Sequence, residues 1–454
     1  MAGARLLNAK ARPVVATAPV EITDLSHEGR GIAHVEGKAV FIDDALPGET
    51  VEWIRTKRTR NFDEGRISRV ITPSAHRITA QCAHFGVCGG CALQHLAAQQ
   101  QLEFKQRQLL DALSRIGQVT PNETLAPLAA SVWHYRRRAR LAARWVPKKQ
   151  RTVVGFRERS SSFIADLKGC EILAAPIHGL IEPLSHLISS LSVRAKVPQI
   201  EVAAADNATA LVIRVLDTIT PEDRQAIEAF AREHNVEIYL QPGGYDTIAP
   251  LSGAATELEY RLPDFDVSLR FQPTDFVQVN GPLNALMVKR AVELLAPSAS
   301  DRVLDLFCGL GNFSLPIARS AAHVTAVEGE AGLVARARDN ALLNGFDNVE
   351  FHVANLAEPQ KHAAWASRRY DKVLLDPPRA GAREVLDLIA ASGASTVVYI
   401  SCHPGTLARD AGVLVHEHGF LLVSAGVMDM FPHTAHVESM VVFKRMKGSV
   451  RSSK

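Results

Sequence analysis

An apolar strand that breaks at glycines is the feature that most limits what this chain can fold into. The segment Val303–Phe307 is followed by Gly309 and Gly311 and then by an amphipathic segment. Glycines at a strand-to-helix junction let the backbone approach a nucleotide-like cofactor closely. An acidic residue about 20 positions further on usually binds ribose hydroxyls, and Glu328 ends the next apolar strand. The pattern predicts a site for a ribose-bearing cofactor, although a turn that only packs a helix would look similar.

The spacing of the glycines narrows the choice of cofactor. The chain lacks the third glycine of the dinucleotide fingerprint, and no Gly-Lys-Ser or Gly-Lys-Thr ending follows to hold phosphates. S-adenosylmethionine therefore fits this turn better than NAD or ATP does.

From Phe271 onward, short apolar segments alternate with amphipathic ones. The alternation predicts a mostly parallel sheet that binds ligands at the carboxyl ends of its strands. Four polar or nucleophilic residues stand at such ends, namely Glu328, Asn355, Asp376 and Cys402. The predicted helices are 284–295, 311–320 and 333–344, and the predicted strands are 303–307, 324–327, 349–353, 372–375 and 396–400.

Length and composition indicate a globular protein of several domains. The chain has 454 residues, and 47% of them are hydrophobic, so several cores can be buried. No apolar run approaches the roughly 20 residues needed to cross a bilayer, and the N-terminus lacks an apolar signal core. We therefore expect a cytoplasmic protein with no membrane association.

The N-terminal half divides into smaller elements. Residues up to about Val15 show no periodic pattern and are expected to be disordered. The segment Val20–Ile71 has short β-prone stretches separated by glycines, which is typical of a small closed barrel. Leucines at helical spacing predict an amphipathic helix over 97–116. Residues 125–265 mix strands with a helix that opens at Thr220, which predicts an α+β central domain.

A basic and aromatic stretch lies in this central region, where no acidic residue occurs between Leu125 and Arg157. Basic groups interleaved with aromatic rings suit the phosphates and unstacked bases of RNA, although a solvated strand face gives the same composition. The net charge of +3 alone would not indicate a nucleic-acid partner. The residues concerned are Arg136, Arg137, Arg138, Arg140, Arg144, Lys148, Lys149, Arg151 and Arg157, with Trp133, Tyr135 and Trp145.

Four cysteines form a candidate metal site. Cys82, Cys88 and Cys91 have C-x5-C-x2-C spacing, and Cys170 follows far downstream. Disulfides are a poor explanation in a cytosolic chain. Four thiolates suit either an iron-sulfur cluster or tetrahedral zinc, and the spacing leaves both open. A radical S-adenosylmethionine enzyme would need a C-x3-C-x2-C triad with an exposed iron, whereas here a fourth cysteine can close the cluster.

Three further motifs give the chain a family resemblance. They are DPPRAG at 376–381, VYISC at 398–402 and FPHTAHVESM at 431–440. With these motifs the chain resembles the RNA uracil-5-methyltransferases, in the branch that acts on 23S ribosomal RNA, and its N-terminal barrel resembles a TRAM domain. One residue departs from the pattern, because the family usually has Asn after the nucleophilic cysteine and this chain has His403.

The resemblance implies conversion of a uridine of 23S ribosomal RNA, uracil-1939, to 5-methyluridine with S-adenosylmethionine. It implies Cys402 as the nucleophile that adds to carbon 6, and Glu438 as the base that removes the proton from carbon 5. His433 and His436 are rival bases, and Cys308 is a rival nucleophile that is better placed to pack in the cofactor turn. The implied cofactor contacts are Gln278, Phe307, Asn312, Glu328, Asn355 and Asp376, and the implied ligands of a 4Fe-4S cluster are Cys82, Cys88, Cys91 and Cys170.

Together, the patterns and the resemblance predict a multidomain chain with a small OB-like barrel, an α+β centre and a Rossmann-like methyltransferase domain. The expected segments are a disordered tail at 1–15, the TRAM barrel at 16–73, the iron-sulfur segment at 74–92, a helix that packs on the catalytic domain at 93–124, the central RNA-binding domain at 125–265 and the catalytic domain at 266–454.

Three alternative functions stay open at this level. The enzyme could act on transfer RNA or on another ribosomal uridine. An inactive RNA-binding iron-sulfur protein is a second alternative, which the intact Cys402, Glu438 and glycine turn argue against. A methyltransferase for an exocyclic amine also uses Asp-Pro-Pro, but it usually has an aromatic residue where this chain has Arg379, and it needs no cysteine. No obligate protein partner is expected.

Overall fold

The computed structural model describes residues 18–360 and 363–445. The tail predicted at 1–15 lies outside these ranges. The chain divides into two compact units. The first contains the described residues up to Gly86, then Cys91–Gln101 and His433–Ala435, and the second contains Val87–Gly90, Leu102–Pro432 and His436 onward. None of the helices in the described ranges combines the length and the apolar character that crossing a membrane requires.

The first unit is built on a six-stranded sheet with the order β1-β5-β6-β4-β3-β2. Its edge strands β1 and β2 are separated by only two residues, so the two edges meet and the sheet curls into a small barrel. Trp53 is fully buried inside it. Gly65 lets its strand cross the indole, because a Cβ there would lie 2.4 Å from the Trp53 ring. The barrel predicted from the sequence is confirmed. The strands are β1 (Val20–Glu21), β2 (Asp24–Leu25), β3 (Gly31–Val35), β4 (Lys38–Asp43), β5 (Thr50–Arg58) and β6 (Phe62–Thr72).

Helix α1 (Ala98–Arg115) comes next, and its part from Leu102 onward belongs to the second unit. The short strand β7 (Glu123–Thr124) follows it. The central region then forms a mixed sheet with the order β13-β12-β11-β10-β8-β9. Its elements are β8 (Arg138–Val146), β9 (Arg151–Gly155), α2 (Ile181–Ser190), β10 (Gln199–Ala204), β11 (Thr209–Arg214), α3 (Pro221–His234), β12 (Glu237–Gln241) and β13 (Ala249–Pro250).

Helix α3 shows why the chain turns helical where the sequence predicts. The Thr220 hydroxyl accepts from the Asp223 amide at 3.1 Å, and the Asp223 carboxylate accepts from the Thr220 amide at 3.2 Å. This reciprocal pair is a capping box, which satisfies amides that the first turn leaves without partners. The predicted helix start at Thr220 is confirmed.

The last region forms an eight-stranded sheet with the order β18-β17-β16-β19-β20-β22-β21-β7. Strands β16 to β20 run parallel, and β22 is inserted antiparallel between β20 and β21. The elements are the hairpin β14 (Leu258–Leu262) and β15 (Val267–Phe271), then α4 (Gly281–Leu295), β16 (Arg302–Leu306), α5 (Ser314–Ala318), β17 (His323–Glu328), α6 (Ala331–Leu343), β18 (Val349–Val353), β19 (Lys372–Leu375), α7 (Leu386–Ala391), β20 (Thr396–Ser401), α8 (Pro404–His416), β21 (Phe420–Met428) and β22 (Glu438–Arg445).

Alternate residues of this sheet feed two separate hydrophobic cores. Leu374 and Val398 pack on one face with α4 and α6, whereas Leu375 and Val397 pack on the other face with α7 and α8. Helix α1 contributes Leu109 to the second core. A parallel sheet that is covered on both faces needs apolar residues on both sides of each strand, which explains the continuous apolar runs in the sequence. The predicted Rossmann-like fold is confirmed.

One predicted helix is shorter than expected. The sequence predicts a helix over 311–320, but α5 covers only Ser314–Ala318. Gly309 and Gly311 have φ of 54° and 92°, outside the helical region. These residues therefore form a turn, and the helix begins after it.

Candidate active site

Six neighbouring strands of the eight-stranded sheet bring predicted site residues to one edge, which we call the site edge. Strand β22 pairs antiparallel with β20. The first residue of β22 therefore lies at the same end of the sheet as the last residues of the parallel strands. The pairing of Ser401 with Ser439 places Glu438 next to Cys402. Across the sheet the site edge carries Asn355 after β18, Glu328 ending β17, Phe307 after β16, Asp376 after β19, Cys402 after β20 and Glu438 beginning β22.

The glycine turn after β16 is open and is anchored by Glu328. A Cβ at Gly309 would meet no atom within 4 Å. The Glu328 carboxylate accepts from the amide of Gly309 at 3.1 Å, and also from the amides of Gly329 at 2.6 Å and Glu330 at 3.1 Å. Phe307 has φ of 65°, a left-handed conformation that is unusual for a bulky side chain and is often found at ligand sites. The turn and the carboxylate form a cradle that suits a ribose.

Asn312 and Asn355 are held by neighbouring protein groups. The Asn312 side chain donates to Asn284 Oδ1 at 3.0 Å and accepts from the Tyr260 hydroxyl at 3.1 Å. Asn355 is exposed, and its Oδ1 accepts from the amide of Ala357 in its own turn at 3.2 Å. Asn355 follows β18, and Asn312 lies in the glycine turn after β16. Part of the hydrogen-bonding capacity of both side chains is used within the protein.

Three acidic groups cluster at the middle of the site edge. Burial raises the pKa of Asp376 to about 7, and the Gln278 amide donates to this carboxylate at 3.3 Å. Burial, and then the charge of Asp376, raise the pKa of Glu438 to about 8. Burial raises the pKa of the Cys402 thiol to about 11, with further contributions from Glu438 and Asp376. The cluster therefore holds exchangeable protons near neutral pH and favours the arrival of a positive charge.

Lys105 is a further residue of this region that the sequence analysis missed. It is fully buried, and its Nζ donates to Asp429 Oδ1 at 2.6 Å and to the Phe431 carbonyl at 2.9 Å. Burial lowers the pKa of Lys105, while its positive charge opposes the rise in the pKa of Glu438. The signal was its position one helical turn before Leu109, on the apolar face of α1.

The rival nucleophile and bases lie in different surroundings. Cys308 is buried in the cofactor turn, and burial raises its pKa well above that of an ordinary thiol, which agrees with a packing role. His436 is exposed, and its ring lies 5.5 Å from that of Phe431. His433 belongs to the first unit, where its amide donates to Gln101 Oε1 at 2.9 Å. Of these candidates, Glu438 is the one that strand pairing sets beside Cys402.

His403, where the family usually has Asn, caps the helix that follows the cysteine. Its Nδ1 accepts from the Thr406 amide at 3.2 Å, and its own amide donates to Ser401 Oγ at 3.1 Å. Asn is among the most favoured residues at a helix N-cap, and here an imidazole nitrogen fills the same place. Nδ1 therefore carries no proton, and the loop that presents Cys402 is fixed at both ends.

The arginines of the basic stretch are largely paired within the protein. Arg137 Nη2 lies 2.8 Å from Asp206 Oδ1. Arg138 and Arg140 share Glu201, at 3.6 Å and 3.0 Å. Arg137, Arg138 and Arg140, which the sequence analysis assigned to RNA binding, thus have carboxylate partners in the protein.

Two other basic residues of this stretch are better placed to meet a polyanion. Arg144 near the end of β8 and Lys148 in the turn after it are both exposed. Positive groups that solvent reaches can exchange counterions for phosphates without first giving up a protein partner.

The predicted cluster cysteines are divided between the two units. Cys82 and Cys91 belong to the first, and Cys88 and Cys170 to the second. The Gly90 amide donates to Cys88 Sγ at 3.4 Å. Amide hydrogen bonds to cysteine sulfur are one of the ways in which proteins tune bound iron-sulfur clusters.

Comparisons with known proteins agree with this architecture. The family model described as tRNA (Uracil-5-)-methyltransferase matches residues 97–446, and the TRAM domain model matches residues 11–67. The 23S rRNA (uracil(1939)-C(5))-methyltransferase RlmD of Stenotrophomonas maltophilia strain K279a is 52% identical over 428 residues, which cover 94% of this chain and 96% of that protein. The RlmD protein of Xanthomonas oryzae pv. oryzae is 52% identical over 427 residues, which cover 93% and 96%.

A solved structure shows the same fold. The Pyrococcus abyssi tRNA (uracil-54, C5)-methyltransferase in complex with S-adenosyl-L-homocysteine superimposes with a TM-score of 0.72 at 22% identity, over 94% of this chain and 100% of that one. The glycine turn, the anchored carboxylate and the doubly covered sheet define an S-adenosylmethionine-dependent methyltransferase domain. The chain belongs to the tRNA (uracil-5-)-methyltransferase family and carries an N-terminal TRAM domain.

Proposed function

We propose that this protein methylates carbon 5 of a uridine in 23S ribosomal RNA, at the position equivalent to uracil 1939. Relatives named for that reaction are 52% identical over 94% of the chain. The observation that carries the proposal is that the pairing of Ser401 with Ser439 sets the Cys402 thiol beside the buried carboxylate of Glu438, on the site edge that also bears the glycine turn. Methylation of a tRNA uridine is the second candidate, because the matching family model is described as tRNA (Uracil-5-)-methyltransferase.

The chemistry explains why a thiol and a carboxylate are needed together. Carbon 5 of uracil is a weak nucleophile, so the Cys402 thiolate first adds to carbon 6 and leaves an enolate with a nucleophilic carbon 5. S-adenosylmethionine, when bound, supplies the methyl group that carbon 5 takes up. Glu438 then accepts the carbon-5 proton, and the electrons of that bond restore the 5,6 double bond as the Cys402 sulfur leaves.

Two features of the site edge suit the cofactor, an open glycine turn and buried acidic groups. Glu328, oriented by three amides, would bind the ribose hydroxyls beside the open turn at Gly309. Burial raises the pKa of Asp376, and a nearby cation would favour its ionised form. We therefore propose that the Asp376 carboxylate faces the positive charge of the bound cofactor. The remaining proposed contacts are Gln278, Phe307, Asn312 and Asn355.

The same charge argument bears on the nucleophile. With a pKa of about 11 the resting Cys402 is a thiol, which is far less reactive than a thiolate. A cation at the site edge would stabilise the thiolate and the carboxylate of Glu438 alike. We infer that the reactivity of Cys402 is low until the cofactor is bound at the site edge.

We further propose that Cys82, Cys88, Cys91 and Cys170 hold a 4Fe-4S cluster with a structural or RNA-positioning role. The number of thiols and the amide donor on Cys88 Sγ support an iron-sulfur site. Protein purified without oxygen should be brown and contain iron and acid-labile sulfide in comparable amounts. Zinc in equal amount to protein, with no sulfide, would contradict this assignment.

RNA binding would involve the barrel and the central sheet. The target base must leave its stack to reach Cys402, which costs a few kcal/mol, so contacts to flanking RNA have to compensate. The exposed Arg144 and Lys148 are the basic residues of β8 and its turn that we propose for phosphate contacts.

A direct test compares three RNA substrates. Purified protein and labelled S-adenosylmethionine are given a 23S fragment that contains the target uridine, the same fragment with cytidine at that position, and a tRNA transcript. We expect methylation of the first only. Methylation of the tRNA with none on the 23S fragment would overturn the proposal in favour of the second candidate.

A further inference from the structure

Three side chains of the second unit form a cluster that the reaction above does not use. One ligand atom each of His134, Glu171 and His178 lies within 4.8 Å of the other two. His134 Nε2 is 3.9 Å from Glu171 Oε2. The two imidazole rings pack edge to face, with centroids 4.8 Å apart. Two imidazoles and a carboxylate thus face a common space.

Backbone carbonyls hold both histidines in the same tautomer. His134 Nδ1 lies 3.3 Å from the Leu173 carbonyl, and His178 Nδ1 lies 3.0 Å from the Cys170 carbonyl. A carbonyl oxygen can only accept, so each Nδ1 carries the hydrogen and each neutral ring keeps its lone pair on Nε2. Histidines that bind metals usually donate their second ring nitrogen in this way, which orients the ring toward the ion.

The backbone around His134 is also fixed. Its φ is 53°, in the left-handed region where residues other than glycine are uncommon. Its amide donates to the Glu171 carbonyl at 2.9 Å, so the two ligand-bearing segments are tied directly. Such conformations persist where the surroundings hold them and occur often at ligand sites.

We propose that His134, Glu171 and His178 form a binding site for a divalent transition ion, with Zn²⁺ as the best match. Two histidines, a carboxylate and an open fourth position are a known zinc ligand set, and imidazole donors disfavour Mg²⁺ and Ca²⁺. Tetrahedral bonds of this kind place ligand atoms roughly 3.4 Å apart. The side chains of His134 and Glu171 are 46% and 32% exposed, so they can move the short distance that closure around an ion requires.

The ion would join the segment that leads into β8 to the segment that follows Cys170. Its nitrogen and oxygen ligands differ from the four thiols proposed for the iron-sulfur cluster, and neither site needs the other's ligands. The bound ion would therefore hold these two segments together next to β8. This role does not depend on the proposed methyl transfer.

Zinc titration of the purified protein tests this site. The metal and sulfide content is measured first, so that ions already held by thiols are not counted, and zinc uptake is then followed against a fluorescent zinc indicator. We expect one additional zinc per chain. His178→Ala, Glu171→Gln and His134→Asn should each weaken its binding at least tenfold, and Asn tolerates the left-handed backbone at 134.

The matched control is His186→Ala, which removes an exposed histidine of α2 and should leave zinc binding unchanged. Zinc should also raise the melting temperature of the wild type, but not that of the three ligand variants. The proposal is overturned if the wild type takes up no additional zinc, or if the three variants bind it as the wild type does while melting normally.

Discussion

The site edge and the basic strand β8 differ in how directly the sequence determines them. At the site edge, each functional residue stands next to an apolar strand, so chain position alone brings Glu328, Asp376 and Cys402 together. On β8, the sequence contains a run of arginines without a nearby acid, yet Arg138 and Arg140 share a carboxylate 61 or more residues away. Placement by strand ends is local information, whereas ion pairing depends on which strands become neighbours.

The largest effect of a single substitution is expected at Cys402, on the site edge. Cys402→Ala should abolish turnover, because it removes the thiol that we propose adds to carbon 6. It should also abolish the covalent complex with RNA that carries 5-fluorouridine at the target, which gel electrophoresis detects. Cys308→Ala is the matched control and should still form that complex. A complex in Cys402→Ala but not in Cys308→Ala would move the nucleophile to the cofactor turn.

The next largest effect is expected at Glu438. Glu438→Gln keeps the shape of the side chain but cannot accept the carbon-5 proton. General bases typically contribute about 10²- to 10⁴-fold, so turnover should fall by that much or more. A methylated protein-RNA species should accumulate on natural RNA, while S-adenosylmethionine binding stays near normal. Normal turnover in this variant would return His433 and His436 to consideration.

The pH dependence of the wild type follows from the same residue. Glu438 acts as a base only when ionised, and its pKa is raised to about 8. The value of kcat/KM, which reports the free enzyme, should therefore rise as pH increases through about 8 and fall below it. The raised pKa of Cys402 acts in the same direction. A kcat/KM that stays constant between pH 6.5 and 9 would contradict the raised pKa values of Glu438 and Cys402.

A smaller effect is expected at His403. Loss of a helix N-cap costs about 0.5–2 kcal/mol, so His403→Ala should lower the melting temperature and slow formation of the 5-fluorouridine complex. His403→Asn supplies another good cap and should restore both. If Asn restores stability but not the rate of complex formation, the imidazole has a role beyond capping.

The smallest effects sharpen the account of β8. Replacing Arg144 or Lys148 with Ala should reduce the salt dependence of RNA binding by about one phosphate contact each. Arg138→Ala should instead lower the melting temperature, because it removes a partner of the buried Glu201, and should leave the salt slope unchanged. The opposite outcome would mean that the paired arginines open to meet RNA.

Much of the fold could be predicted because a continuous apolar run marks each parallel strand, and a polar residue or glycine marks where the strand ends. The position of Glu438 could not be predicted from these patterns, since it depends on β22 entering the sheet antiparallel between β20 and β21. Burial of Lys105 depends on a partner more than 300 residues later, Asp429. The cap formed by His403 depends on ring orientation, which composition does not reveal.

The measurement that tests the central claim most directly is a map of 5-methyluridine in ribosomal and transfer RNA from cells that lack this protein. We predict loss of the modification at the 23S position equivalent to uracil 1939 alone. A plasmid that encodes the wild type should restore it, and one that encodes Cys402→Ala should not. Persistence of the modification at that position, or its restoration by Cys402→Ala, would contradict the account.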